Sequence, residues 1–181
     1  FDTMSITLNG TTGITTPDLT SVADIEANGS AVLTSASSIT QNAGPAFSAY
    51  ATATQAIVNG TYTKIVYDSE DFDTNSNFTA NRFTPNVAGY YQINAGWFCA
   101  GAGAGGVLLR LYKNGSVYVT LDRVLLSGAF NVLASGSSLV FCNGSTDFLE
   151  IYCYQNSGGT LNMGNGDKNG CWFNGALVRA A

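Results

Sequence analysis

Residues 89–94 decide the fold class, and they read Gly89-Tyr90-Tyr91-Gln92-Ile93-Asn94. Tyr91 and Ile93 alternate with polar neighbours, which is typical of a strand with one buried face. Three further segments repeat this character, at residues 62–67, 107–112 and 148–152, and turn signals such as Asn-Gly pairs separate them. About ten short strands without a convincing helix predict an all-β, ten-stranded antiparallel jelly-roll sandwich.

The composition excludes several classes of function. Charged residues make up only 10% of the 181 residues, against roughly 25% in typical soluble domains. The absence of histidine rules out Ser-His-Asp and Cys-His catalysis as well as His-based zinc sites. A net charge of −5 lacks the basic surface of a nucleic-acid binder, and no apolar run is long enough to insert into a membrane. We therefore predict a protein that is not an enzyme and that uses no cofactor, nucleic acid or membrane insertion.

The spacing of the four cysteines argues against a zinc ribbon, because no two of them are separated by only two residues. They are Cys99, Cys142, Cys153 and Cys171. Cys153 shares the parity of its apolar neighbours Leu149 and Ile151. This pattern predicts a buried free thiol that packs as a small hydrophobe, with disulfides as the alternative.

Residues 1–44 differ in character from the rest of the chain. Short β-branched pieces at 5–8, 31–34 and 38–40 alternate with turn signals such as Asn9-Gly10. They are too short and too polar to bury a core alone, so we expect an extended β-rich anchor or shaft that orders through contacts with partners. A disordered linker is the alternative. The chain begins at Phe1 with Met4 close behind, which fits a natural start at Met4 or a piece of a longer protein equally well.

The landmarks of residues 45–181 follow the order of a known family. The most distinctive of them are Gly44-Pro45-Ala46-Phe47-Ser48-Ala49, Arg82-Phe83-Thr84-Pro85-Asn86-Val87-Ala88-Gly89-Tyr90-Tyr91 and Phe173-Asn174-Gly175-Ala176-Leu177. This stretch resembles the globular head of complement collagen-like proteins, the same jelly roll as tumour necrosis factor. The resemblance implies a TNF-like head that forms a homotrimer through an aromatic-rich flat face. The alternative is that the aromatic residues fill one monomeric core.

The leader carries a second resemblance. Its stretch Ser5-Ile6-Thr7-Leu8-Asn9-Gly10-Thr11-Thr12-Gly13-Ile14-Thr15-Thr16-Pro17 is similar to segments of tail-fibre and other structural proteins of bacterial viruses. This similarity implies a bacteriophage virion protein, assembled in the host cytoplasm and carried on the particle surface. Residues 1–44 would contact other virion proteins, and residues 45–181 would form the outward head.

Three functions follow from these resemblances. The first is a trimeric fibre whose jelly-roll head binds a glycan or protein on the host surface. The second is a capsid decoration or head-fibre protein that stabilises the shell. The third and remote one is a glycan-degrading spike enzyme. Its best acid pair, Asp147 and Glu150, is offset by three along a strand, which places the two carboxylates on opposite faces.

The polar Gly/Asn loop at 161–170 is the predicted ligand site, because ligand contacts concentrate on loops that a rigid scaffold presents. Aromatic side chains nearby in sequence can stack on a sugar. The predicted ligand-binding residues are Tyr154, Asn162, Asn165, Asp167, Lys168 and Trp172. The alternative is a plain connecting loop.

An acidic stretch at 68–77 is the nearest match to a metal motif. Asp71, Asp73 and Asn75 alternate like the first half of a calcium loop, where oxygen ligands converge on a hard cation. The turn glycine and the closing glutamate of such a loop are missing, however. A solvated acidic loop is the favoured interpretation, and no metal is predicted.

Overall fold

The computed structural model describes residues 26–27, 30–31, 44–164 and 168–181. The chain divides into two units, residues 1–41 and 42–181. In the first unit, β1 (Glu26–Ala27) pairs antiparallel with β2 (Ser30–Ala31). The other predicted pieces of the leader lie outside the described residues, so the anchor and its boundary at residue 44 stay predictions.

The second unit is built from antiparallel strands, which confirms the predicted all-β jelly roll. The strands are β3 (Ala46–Tyr50), β4 (Gln55–Ile57), β5 (Thr63–Lys64), β6 (Ser69–Asp73), β7 (Phe78–Thr79), β8 (Arg82–Phe83), β9 (Ala88–Ala102), β10 (Gly105–Lys113), β11 (Ser116–Leu126), β12 (Phe130–Asn143), β13 (Leu149–Gln155), β14 (Leu161–Met163) and β15 (Cys171–Ala180). The described residues of this unit form thirteen strands where ten short ones were expected, and their lengths run from two to fifteen residues. Within the described ranges there is no helix that could span a membrane.

Two sheets form the sandwich. The larger sheet has the order β4-β14-β9-β15-β3-β6, and β12 pairs along the other edge of β9. The smaller sheet has the order β11-β10-β13-β8-β7, and β5 also pairs with β13. Each sheet therefore turns one face to the shared core and leaves one outer face, and the candidate sites lie on these outer faces.

The core between the sheets is aromatic and aliphatic, as the alternation in sequence predicts. Phe47 stacks on Phe83 with their ring centroids 4.2 Å apart, and it meets Phe173 edge-on at 4.8 Å. Tyr91 and Ile93 are fully buried on the core face of β9. All four cysteines are buried and free, which confirms the interpretation of Cys153 as a buried thiol.

Glycine permits two close approaches in the larger sheet. A Cβ at Gly89 would collide with the carbonyl oxygen of Arg179 across the sheet, so the two strands approach closely at this position. A Cβ at Gly175 would lie 2.6 Å from Cδ1 of Ile93. Side chains cannot replace hydrogen at either position without displacing a neighbour.

The strand predicted at 62–67 is mostly absent, because side chains take over its backbone hydrogen bonds. Only Thr63–Lys64 pairs as a strand with β13. The N–H of Val66 donates to Oε1 of Gln55 at 3.0 Å, and the N–H of Tyr67 donates to Oδ1 of Asn81 at 2.7 Å. These local acceptors compete with a strand partner and end the ladder early.

Candidate functional site

Two of the predicted ligand residues lie together in a concavity on the outer face of the larger sheet, and their role as a ligand site stays a prediction. Lys168 and Trp172 both line this concavity, whose volume is about 430 Å³. Nζ of Lys168 lies 3.1 Å from Oδ1 of Asp71 and 6.0 Å from the ring centroid of Tyr50. The concavity therefore carries one ion pair and two aromatic side chains, Tyr50 and Trp172, which are cross-strand partners.

Asn162 and Tyr154 do not lie in this concavity. Asn162 is exposed on β14, opposite Ala56 of β4. Tyr154 lies on the outer face of the smaller sheet, so it and Trp172 face opposite sides of the sandwich. Asn165 and Asp167 lie outside the described residues, and their predicted role stays a prediction.

Trp172 is held flat against the sheet by the absence of a side chain beneath it. Gly96 is its direct partner on β9, and a Cβ at Gly96 would collide with the indole ring. The indole is half-buried in this position. Trp172 therefore presents a fixed aromatic surface to the concavity.

The acidic stretch forms β6 of the larger sheet and the turn that leads to β7 of the smaller sheet, rather than a calcium loop. A bulge opposite Ser48 and Ala49 interrupts the alternation, so Asp71 turns to Ser48 and Lys168 on the outer face. Oδ2 of Asp73 instead accepts the backbone N–H of Phe78 at 2.7 Å and so closes the turn. The described residues contain no group of three or more His, Cys, Asp or Glu side chains that could hold a metal ion.

The two carboxylates considered as an acid pair have separate structural partners. Asp147 accepts hydrogen bonds from the Asn114 side chain at 2.7 Å and from the Asn143 N–H at 3.0 Å, and Nζ of Lys113 lies 2.8 Å away. Burial raises the pKa of Asp147, but these bonds and the Lys113 charge outweigh burial and leave that pKa below its ordinary value. A carboxyl held in its charged form is a poor general acid.

Glu150 belongs instead to the outer face of the smaller sheet. Its Oε1 lies 2.7 Å from Nζ of Lys64 and 3.0 Å from Nη2 of Arg82, and the Arg82 guanidinium lies 3.7 Å from the ring centroid of Phe148. Only 3% of Glu150 is exposed, so the two cations cover the carboxylate.

Tyrosines and arginines surround this ion cluster. Tyr112 stacks on Tyr152 at 4.1 Å between ring centroids, and Tyr62 meets Tyr154 at 4.8 Å. We call this surface the tyrosine–arginine face; it comprises Tyr62, Lys64, Arg82, Leu108, Arg110, Tyr112, Thr120, Arg123, Glu150, Tyr152 and Tyr154. Sequence reasoning assigned only Tyr154 to a site. The alternate positions 108, 110, 112 and 150, 152, 154 carried the signal, because each set occupies one face of its strand.

The larger sheet has an apolar patch at the opposite end of β9 from β14. Tyr90, Leu139, Phe141 and Val178 are each at least 40% exposed. Tyr90 and Phe141 are cross-strand partners with ring centroids 5.5 Å apart, and Leu139 and Val178 line a concavity beside Tyr90. We call these four residues the apolar patch.

Comparisons with known proteins identify the fold of the second unit, residues 42–181, which we call the head. No protein-family model matches the chain, and no curated protein matches it. Among solved structures, the globular domain of zebrafish complement 1qA matches with a TM-score of 0.54 and 20% identity, over 76% of this chain and 99% of that chain. The head has the jelly-roll fold of complement 1q and TNF.

Two further structures agree with this jelly roll. The Eiger TNF of S. frugiperda matches with a TM-score of 0.55 and 10% identity, over 76% of this chain and 95% of its own. Murine APRIL at pH 8.5 matches with a TM-score of 0.52 and 9% identity, over 74% and 98%. These similarities confirm the fold expected from the order of landmarks in the sequence.

Proposed function

We propose that this chain is a non-enzymatic, homotrimeric virion fibre protein whose jelly-roll head binds a ligand on the host surface. The apolar patch carries the assembly part of the proposal. Tyr90, Leu139, Phe141 and Val178 expose between 40% and 57% of their surfaces at one end of one sheet. Contiguous apolar surface of this kind marks an interface with another protein.

The centre of the outer face of the larger sheet is also suited to an interface between copies of the chain. Gln92, Asn94 and Asn174 occupy that centre, and Nδ2 of Asn94 donates to Oδ1 of Asn174 at 2.9 Å. These amides are uncharged, so burying them costs less than burying ions, and they can bond across an interface. Symmetric closed rings are the usual outcome when one patch binds a second copy of the same chain.

The role in a virion rests on the leader. Its Thr- and Gly-rich stretch is similar to segments of phage fibre proteins, and a fibre head needs a surface for its ligand in addition to its assembly face. The tyrosine–arginine face meets that need, because it lies on the sheet opposite the apolar patch. A trimer formed through the larger sheet would leave the smaller sheet exposed.

Two measurements test the proposed role. Immunogold electron microscopy with antibodies against the head should label the fibres of virus particles, and the fluorescent full chain should bind host cells. Label on the capsid together with no cell binding would contradict the fibre role and favour capsid decoration. The non-enzymatic part is tested by incubating the protein with host-surface glycans, where release of shorter glycans would contradict it.

A further inference from the structure

We propose that the tyrosine–arginine face is a binding site for an anionic saccharide, a pyranose that carries a carboxylate or a sulfate. The inference deepens the proposed function, on which it rests for the biological setting of the ligand. The site itself belongs to one protomer, because all its residues come from β5, β8, β10, β11, β13 and the segments beside them.

The register of the smaller sheet places the site residues in rows. Across the sheet, Thr120 pairs with Arg110, Arg110 with Tyr152, and Tyr152 with Lys64. Directly opposed residues share a face, so Arg110 and Lys64 lie on the strands either side of Tyr152. Neighbouring rows bring Tyr112 beside Glu150, and Leu108 between Arg123 and Tyr154.

The charge of this face is opposite to that of the rest of the chain. Four of the seven basic residues lie on it, with Glu150 as its one acid, which gives the face a formal charge of +3. Three bases and eleven acids elsewhere give −8. A long polyanion such as nucleic acid would be repelled by the remainder, whereas one or two anionic groups would experience mainly the local field.

Arg110 has no carboxylate partner among the described residues. Lys64 and Arg82 share Glu150, but Arg110 forms no ion pair within the described residues, and its guanidinium lies 4.3 Å from the ring centroid of Tyr62. Nε of Arg110 is buried and has no hydrogen-bond partner. Unsatisfied buried donors are uncommon in folded proteins. Nε itself lies beneath the surface, whereas the Nη nitrogens form no hydrogen bond or ion pair with the described residues and remain available to an anion.

The tyrosines supply the rest of the recognition. Among the described residues, the one tyrosine hydroxyl that donates a hydrogen bond belongs to Tyr91, so those of Tyr62, Tyr112, Tyr152 and Tyr154 are available to a ligand. A tyrosine hydroxyl is protonated at neutral pH, and burial with the nearby Glu150 carboxylate raises the pKa of Tyr152 further from neutrality. Paired tyrosine rings offer flat apolar surface at low entropic cost, which suits the C–H face of a sugar.

The test uses the full-length chain and three sugars that share a lactose core, two of them anionic and one neutral. Ligand-observed NMR should detect binding of 3′-sialyllactose or 3′-sulfolactose but not of lactose, and the binding should weaken with added salt. Binding of one anionic sugar or of both supports the proposal and identifies the anion. Binding of lactose alone, or equal binding of all three, would overturn it.

Variants locate the site. Arg110→Gln should weaken binding about tenfold or more, since a charge-assisted hydrogen bond contributes that much. Tyr152→Phe keeps the ring and should weaken it by about two- to tenfold. Arg179→Gln removes an exposed cation from the larger sheet and should leave binding unchanged. Unchanged circular dichroism and sedimentation show that each variant folds. Loss in Arg179→Gln without loss in Arg110→Gln would overturn the assignment.

Cell binding separates this inference from the proposed function. Retained sugar binding and retained host-cell binding by Arg110→Gln would contradict the saccharide site and leave host attachment standing. Sugar binding that is lost in Arg110→Gln, together with no cell binding by the natural chain, would support the site and contradict host attachment.

Discussion

Lys64 and Glu150 are 86 residues apart in sequence, yet Nζ of Lys64 lies 2.7 Å from Oε1 of Glu150. Arg82 reaches the same oxygen through Nε at 3.1 Å and Nη2 at 3.0 Å. The pairing of β5, β8 and β13 brings these side chains together on one outer face. One buried carboxylate thus holds two cations in place. Neither the local sequence pattern nor the spacing of the three residues along the chain predicts that they meet.

Glu150→Gln should destabilise the head by about 1–3 kcal/mol, because it leaves two half-exposed cations beside an uncharged, buried amide. Urea unfolding followed by circular dichroism measures the change. Glu70→Gln is the matched control, because Glu70 is an exposed residue of β6. Slight burial and the nearby Asp73 raise the pKa of the Glu70 carboxyl. Glu70→Gln should change stability by less than about 0.5 kcal/mol. Equal effects of the two variants would contradict the bridging role of Glu150.

Gly175→Ala should destabilise the head by about 1–3 kcal/mol through overpacking. The new Cβ would lie 2.6 Å from Cδ1 of Ile93 and 3.1 Å from Cε1 of Phe47 in the core. Gly159→Ala is the control, since nothing lies within 4 Å of its added Cβ. Thermal unfolding of both variants measures the difference, and a Gly175→Ala protein as stable as Gly159→Ala would contradict the packing described.

Acid should destabilise the head through Asp68 and Asp147. The N–H of Thr52 donates to Asp68 at 2.6 Å and lowers its pKa, and the pKa of Asp147 is lowered as well. A carboxyl with a lowered folded-state pKa stabilises the fold above its unfolded-state pKa, near 3.8 here, and that stability is lost as the pH falls through the folded value.

The measurement is the urea midpoint between pH 6 and pH 2. The natural chain should lose stability below about pH 4, and Asp147→Asn should lose less over the same interval because one of the two groups no longer titrates. Parallel curves for the two proteins would show that Asp147 is not held in its charged form by the fold.

The four thiols should be inert in the folded protein. Burial raises the pKa of Cys99 and Cys142 to about 11 and that of Cys171 to about 12, and it raises the pKa of Cys153 further. The thiolate is the reactive form, so Ellman's reagent at pH 8 should modify none of them within minutes. All four should react in guanidinium chloride. A thiol that reacts rapidly in the folded chain would contradict this burial.

Local patterns predicted the parts of the fold that depend on strand alternation. Leu149, Ile151 and Cys153 reach the core because a strand turns alternate side chains to one face. The same rule failed at Asp71 and Asp73, since a bulge in β6 turns Asp71 to the outer face. A bulge depends on the partner strand, and the partner is not visible in the local sequence.

The tyrosine–arginine face could not be predicted for a related reason. Arg110, Tyr152 and Lys64 form one row only when β10 and β5 both pair with β13 in the observed register. Register follows from packing of the whole sandwich rather than from any one segment. The predicted loop site had the opposite weakness, because closeness in sequence placed Tyr154 with Trp172, whereas the two side chains lie on opposite sheets.

Sedimentation equilibrium of the full chain at micromolar concentration tests the proposed assembly most directly. The natural chain should give three times the 18.9 kDa chain mass. Leu139→Glu, which charges the apolar patch, should give a monomer, whereas Val58→Glu, with similar exposure near the β14 end of the sheet, should remain a trimer. A natural chain that sediments as a monomer, or a Leu139→Glu variant that sediments as a stable trimer, would contradict assembly through the apolar patch.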